Sequence, residues 1–209
     1  APLTDCAAPS ATPGTVACER QTEGAVDPAL GGGATPGDNS GTLRYAQFRY
    51  SGYVLSGNSE LQSLTLIGTG SGTTINNIHS HNSSDDGFEI FGGRTSLRNF
   101  VVTGADDDSM DVDTGWQGTI QYLIAVQKSS GSPDSMIELD SPGAGVATTD
   151  ETQVPRTWLK LANFTFVHRN AASGNTAAMR FRGRADASLV NGVVTAPLPA
   201  LRIDGAEFL

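Results

Sequence analysis

Apolar side chains recur at the first and third places of a series of five-residue segments. The series reads Phe88-Glu89-Ile90-Phe91-Gly92, Met110-Asp111-Val112-Asp113-Thr114, Ile137-Glu138-Leu139-Asp140-Ser141, Met179-Arg180-Phe181-Arg182-Gly183 and Leu201-Arg202-Ile203-Asp204-Gly205. Leu64-Thr65-Leu66-Ile67-Gly68 fits as an earlier copy, and the fifth place is Gly, Ser or Thr throughout. Alternation at period two predicts short strands with one face buried. A second series follows, at Leu43-Arg44-Tyr45-Ala46, Ile75-Asn76-Asn77-Ile78, Leu97-Arg98-Asn99-Phe100, Ile120-Gln121-Tyr122-Leu123, Leu161-Ala162-Asn163-Phe164 and Leu189-Val190-Asn191-Gly192. Its third place is Asn in four of six copies. No stretch keeps a helical period beyond about two turns, so the class is all-β.

The spacing turns these strands into an architecture. From Phe88 to Met110, Ile75 to Leu97 and Met179 to Leu201 the step is 22 residues, and from Leu97 to Ile120 it is 23. That period is too short for a propeller blade. It suits one coil of a parallel β-helix, a solenoid in which each strand lies about 4.8 Å from its copy in the next coil. A β-sandwich would space its strands irregularly and would not repeat an Asn at one position. The recurring Asn predicts a sharp corner in the left-handed backbone region, with its amides laddered between coils. This places a parallel β-helix of about six coils over residues 42–209, with insertions at 142–157 and 169–177. Residues 1–41 read as an extended lead-in, where Cys6 and Cys18 suggest a disulfide formed in an oxidising compartment.

Charge narrows the partners. The chain carries a formal net charge of −9 and is 38% hydrophobic and 17% charged. Nucleic acid, which needs a Lys/Arg face, is disfavoured, and no apolar run is long enough to span a bilayer.

The strings "DNSGTLRYAQFRYSG", "GSGTTINNIHSHNSSDDGFEIFGG" and "VVTGADDDSMDVDTGWQG", within residues 37–127, resemble a family of bacterial secreted or lipoprotein β-helix proteins. The resemblance implies a right-handed parallel β-helix that is secreted, periplasmic or at the cell surface. It implies no activity.

Stacking also multiplies acids. Asp85, Asp107 and Asp134 each fall three places before a short strand and should form one file, with Asp86 and Asp108 beside it. Glu89, Asp111 and Glu138 form another file on the strands, adjoined by Asp113 and Asp140. Further along, the face changes sign to Arg180, Arg182 and Arg202. Like charges about 5 Å apart repel by about 1 kcal/mol per pair in water. Oxygen-only ligands on turns suit Ca²⁺, so Asp85, Asp107 and Asp134 are the expected metal ligands. The competing reading is a solvated face whose repulsion is screened by salt.

A carboxylate row on such a face resembles polygalacturonases, and calcium-binding acids with an Arg nearby are similar to pectate lyases. These resemblances name Asp86, Asp108 and Asp111 as acids of a hydrolase, and Arg180 or Arg182 as the base of a lyase. The polygalacturonase Gly-His-Gly and Arg-Ile-Lys signatures are absent. Trp116 and Trp158 offer sugar-stacking platforms or caps of the core, with Glu89 and Glu138 as further ligand-binding positions. His79 and His81 face one way without a third ligand. Asn163-Phe164-Thr165 matches a glycosylation sequon, but the corner file is expected to be internal. Three functions follow: a calcium-stabilised extracellular structural or interaction protein that assembles end to end with itself; a polysaccharide lyase or glycoside hydrolase; and a non-catalytic module that binds extracellular polysaccharide.

Overall fold

The computed structural model describes residues 19–22, 29–56, 59–141, 155–170 and 177–204. Cys6, Cys18 and most of both insertions lie outside them. The described chain is all strand and turn, and no helix in it is long and apolar enough to cross a membrane.

Two parallel six-stranded sheets form the body, one strand per coil in each. The short-strand sheet runs β6 (Thr65–Ile67), β8 (Glu89–Phe91), β10 (Asp111–Asp113), β12 (Ile137–Leu139), β14 (Met179–Phe181) and β16 (Arg202–Ile203). The long-strand sheet runs β3 (Thr42–Arg49), β7 (Thr74–His81), β9 (Leu97–Thr103), β11 (Thr119–Val126), β13 (Trp158–Val167) and β15 (Asp186–Thr195). This is the expected right-handed parallel β-helix. Its registers follow the repeat: Glu89 pairs with Asp111 and Asp111 with Glu138, while Leu97 pairs with Ile120.

Each long strand bends at one residue in the left-handed region. Tyr45, Asn77, Asn99, Tyr122, Asn163 and Asn191 all have φ between 54° and 63°. The residues flanking each of them pair from coil to coil, so the bends stack into one file. Asn is among the residues that tolerate this conformation. The file is not internal, however. In β9 the buried positions are Leu97, Phe100 and Val102, so the bend adds one residue to the alternation and leaves Asn99 outside. Asn99 and Asn191 are exposed and Asn163 is half-buried. Asn163 of the Asn163-Phe164-Thr165 sequon is therefore not internal, contrary to expectation. The fifth place of the short segments is explained in the same terms: Gly68, Gly92, Thr114 and Gly183 turn the chain there with positive φ.

The core is a set of stacked columns between the sheets. Leu66, Ile90, Val112, Leu139 and Phe181 form one; Ile78, Phe100, Leu123 and Phe164 form another. That second column ends on Gly192, where a Cβ would lie 2.0 Å from the Phe164 ring. Two antiparallel hairpins stand outside the repeat. The lead-in contains β1 (Glu19–Gln21) paired with β2 (Leu30–Gly32), so it is not simply extended. Gly31 sits against Ile67 of the first coil. The second hairpin pairs β4 (Tyr53–Ser56) with β5 (Ser59–Leu61), between β3 and β6.

Candidate functional site

The turns entering β8, β10 and β12 carry the acids, and backbone hydrogen bonds hold each turn against the next. The Asp106 amide donates to the Asp85 carbonyl and the Asp134 amide to the Asp107 carbonyl, both at 3.2 Å. Asp86 and Asp108 have a structural task in this ladder. The Asp86 carboxylate accepts the Asp108 amide at 2.9 Å, and the Asp108 carboxylate accepts the Ser135 amide. A short acidic side chain at that place pins coil to coil, which explains why it repeats.

The same stacking crowds the carboxylates into three overlapping groups. Asp85, Asp86 and Asp107 form one, Asp86, Glu89 and Asp111 the second, Asp107, Asp108 and Asp134 the third; within each, an oxygen of every carboxylate lies within 4.8 Å of the others. Exposure varies across them. Asp86 and Asp108 are 6% and 4% exposed, Asp85 and Glu89 are buried, Asp111 and Asp134 are half-buried, and Asp107 is open to solvent. Two partners come from outside the repeat: Gln62 donates to Asp85 at 3.3 Å, and Glu60 on β5 adds its charge near Asp107. No repeat pattern marks either residue in the sequence.

Crowding disfavours ionisation. Burial, then repulsion from Asp111, Glu89 and Asp85, pushes Asp86 well above the usual carboxylate range. Burial and Asp86 do the same to Asp108. Asp111 is raised by burial and by Glu138 and Asp140, against the pull of Arg182. At Asp107, desolvation within the turn and the charges of Asp85 and Asp134 raise the pKa to about 6.

The other half of the face is compensated. Arg182 binds Glu138 and, at 3.0 Å, Asp140; Arg180 reaches Glu138 at 3.6 Å and Asp204 at 2.9 Å; Arg202 also binds Asp204. Burial pulls Arg182 down, but Glu138 and Asp140 outweigh it and hold its pKa above the ordinary value. Burial keeps Glu138 raised despite both arginines. The face thus has an end where arginines pair with the acids and an end where carboxylates crowd together.

The candidate residues separate accordingly. Asp107 shares one carboxylate group with Asp85 and another with Asp134, but no one group among the described residues holds all three. Asp86 and Asp108 lie beneath the surface as backbone acceptors, which does not suit acids that must reach a substrate. Glu89 and Glu138 alternate with core positions on their strands yet are buried, Glu138 beneath its ion pairs with Arg180 and Arg182. Trp116 is a correction: it is 0% exposed, donates its indole N–H to the Thr95 carbonyl at 3.1 Å, and offers no face to a sugar. Trp158 is 43% exposed but lies on the long-strand sheet, with the Lys160 ammonium 4.2 Å from its ring centre. His79 and His81 share the Thr103 hydroxyl at 3.0 and 2.7 Å, a polar cluster rather than a metal pair.

With this geometry established, comparison with known proteins adds one finding. A family model described as a pectate-lyase-like β-helix domain matches residues 14–208. Neither the curated proteins nor the solved structures gave a match.

Proposed function

The chain belongs to the pectate-lyase-like β-helix domain family, and from that premise we propose that it is an extracellular structural or interaction solenoid stabilised by divalent cations, Ca²⁺ foremost, on its short-strand face. One observation carries the reading: three interlocking carboxylate groups, within each of which an oxygen of every carboxylate lies within 4.8 Å of the others. All the donors are oxygen, which suits Ca²⁺ rather than a softer transition metal. Asp107, exposed and shared by two groups, gives an ion its way in, with Asp85 and Asp134 as the neighbouring ligands. A bound cation would replace mutual repulsion by attraction along the file.

The catalytic alternatives fare worse on this face. A lyase needs a deprotonated base to take the substrate's proton, whereas Arg180 and Arg182 are ion-paired and Arg182 is held more firmly protonated than usual. Glycoside hydrolysis keeps one point in its favour, since an exposed Asp107 near 6 has the protonation of a general acid. Reducing ends released from a polysaccharide panel, and lost in Asp107→Asn, would establish that second reading.

The cation reading is tested by calorimetry and melting of chelated protein. Calcium should release heat, and at about a hundredfold excess over Kd raise Tm by about 5–10 °C. The Asp85→Asn/Asp107→Asn/Asp134→Asn variant should lose both responses. Absence of heat and of a Tm shift in the unmodified protein would overturn the reading.

A further inference from the structure

The bends of the long strands build a second feature, remote from the acids. The angle at each left-handed residue makes the outer surface concave, and the stacked bends form a groove of about 940 Å³ along the solenoid axis. Its floor is the bend file, and the order along that file is Tyr45, Asn77, Asn99, Tyr122, Asn163, Asn191: Tyr-Asn-Asn, twice.

Three properties of this file call for a ligand. First, the tyrosines are held at φ 54° and 63°, where a bulky side chain is uncommon and where four other coils use Asn. Such strain is characteristic of functional positions. Second, the rings are not packed away. Tyr45 is 82% exposed and Tyr122 is 43% exposed, with the Arg98 guanidinium 5.1 Å from the Tyr122 ring centre. Third, the amide ladder stops at the rings. Asn99 donates to Asn77 at 3.1 Å and Asn191 donates to Asn163, but Tyr122 stands between the two pairs. An unbroken Asn file would stack better, so the tyrosines are not there for the ladder.

Charge identifies the occupant. In a chain of net charge −9, the lining residues include no Asp, Glu, Lys or Arg, and the Arg98 guanidinium borders the groove at the Tyr122 ring. Exposed aromatic faces beside amides match the alternating apolar faces and hydroxyls of a sugar, and an uncharged lining matches a neutral one. A peptide adding as a strand would need free backbone groups, whereas the backbone beside the bends is paired into neighbouring coils from β7 to β13. We propose that the groove binds a linear neutral polysaccharide lying along the axis, stacked on Tyr45 and Tyr122 and hydrogen-bonded to the amides between them. This site is independent of the acidic face.

The test uses the protein with linear neutral oligosaccharides (gluco-, xylo-, manno- and chito-series) of increasing length, titrated by calorimetry in chelator. Affinity should step up once the chain bridges the two tyrosines, about 14 Å apart at three strand spacings. Tyr45→Asn and Tyr122→Asn each remove a ring while supplying the residue that the other bends already carry, so the fold is retained and melting verifies it. Each should weaken binding about tenfold or more, with the double variant abolishing it. No binding across the series, binding unaffected by loss of both rings, or binding confined to acidic oligouronates or extended peptides would each overturn the proposal.

Discussion

Replacing Asp107 by Asn removes one charge from the centre of the crowded acids while keeping the side chain's shape. The Asp107 carboxyl is raised from 3.8 to about 6, a shift of about two units, which corresponds to about 3 kcal/mol of unfavourable ionisation. Asp107 is exposed, so solvent screening reduces this to about 1–2 kcal/mol. The sign follows from linkage: a carboxyl whose folded pKa is raised binds its proton more tightly in the folded state. Stability is therefore highest below about pH 4 for this group and is lost as pH rises through about 6. In chelator near neutral pH, Asp107→Asn should raise Tm by about 3–6 °C. Near pH 4 the gain should vanish, and high salt should shrink it. The assay is thermal unfolding across pH with and without calcium, and calcium should cancel the advantage by stabilising only the unmodified protein. A lower Tm for Asp107→Asn in chelator at neutral pH, or a gain independent of pH, would refute the reasoning.

Other expectations follow from single contacts. Asp108→Ala deprives the buried Ser135 amide of its acceptor and should cost about 1–3 kcal/mol in urea unfolding, whereas Asp108→Asn keeps an acceptor oxygen and should cost less than half of that. Arg182→Gln leaves Glu138 and Asp140 without their main cation and should destabilise by about 3 kcal/mol near neutral pH, with a smaller loss in acid where Glu138 is protonated. Gly192→Val drives a side chain into the Phe164 ring; overpacking there should cost about 2 kcal/mol or more, and Phe164→Leu on the same chain should recover part of the loss.

The fold was legible because a solenoid writes its stacking into the chain as a period. The 22-residue step from Glu89 to Asp111 is the register found between β8 and β10, and the Asn steps are the stacked bends. The acidic file was legible for the same reason, down to the change of sign at Arg180. What the period could not convey is direction and depth. Alternation places Glu89 and Glu138 outward, yet both are buried in the folded chain. The bend at Asn99 inserts a residue into the alternation, so the amide expected inside lies outside. Trp116 follows a strand and reads equally as platform or cap; its burial depends on packing over Thr95, one coil away. The hairpin over residues 53–61 breaks the repeat, and with it the approach of Glu60 to Asp107 was hidden. The Tyr-Asn-Asn order was present in the sequence, yet its meaning depends on the groove.

Cation binding on the acidic face is tested by an anomalous difference map from crystals soaked in a lanthanide as a calcium substitute. The account predicts peaks among Asp85, Asp107 and Asp134 or beside Asp86, Glu89 and Asp111, displaced by excess calcium. A map with no peak on that face, or with peaks only at scattered surface carboxylates, would contradict it.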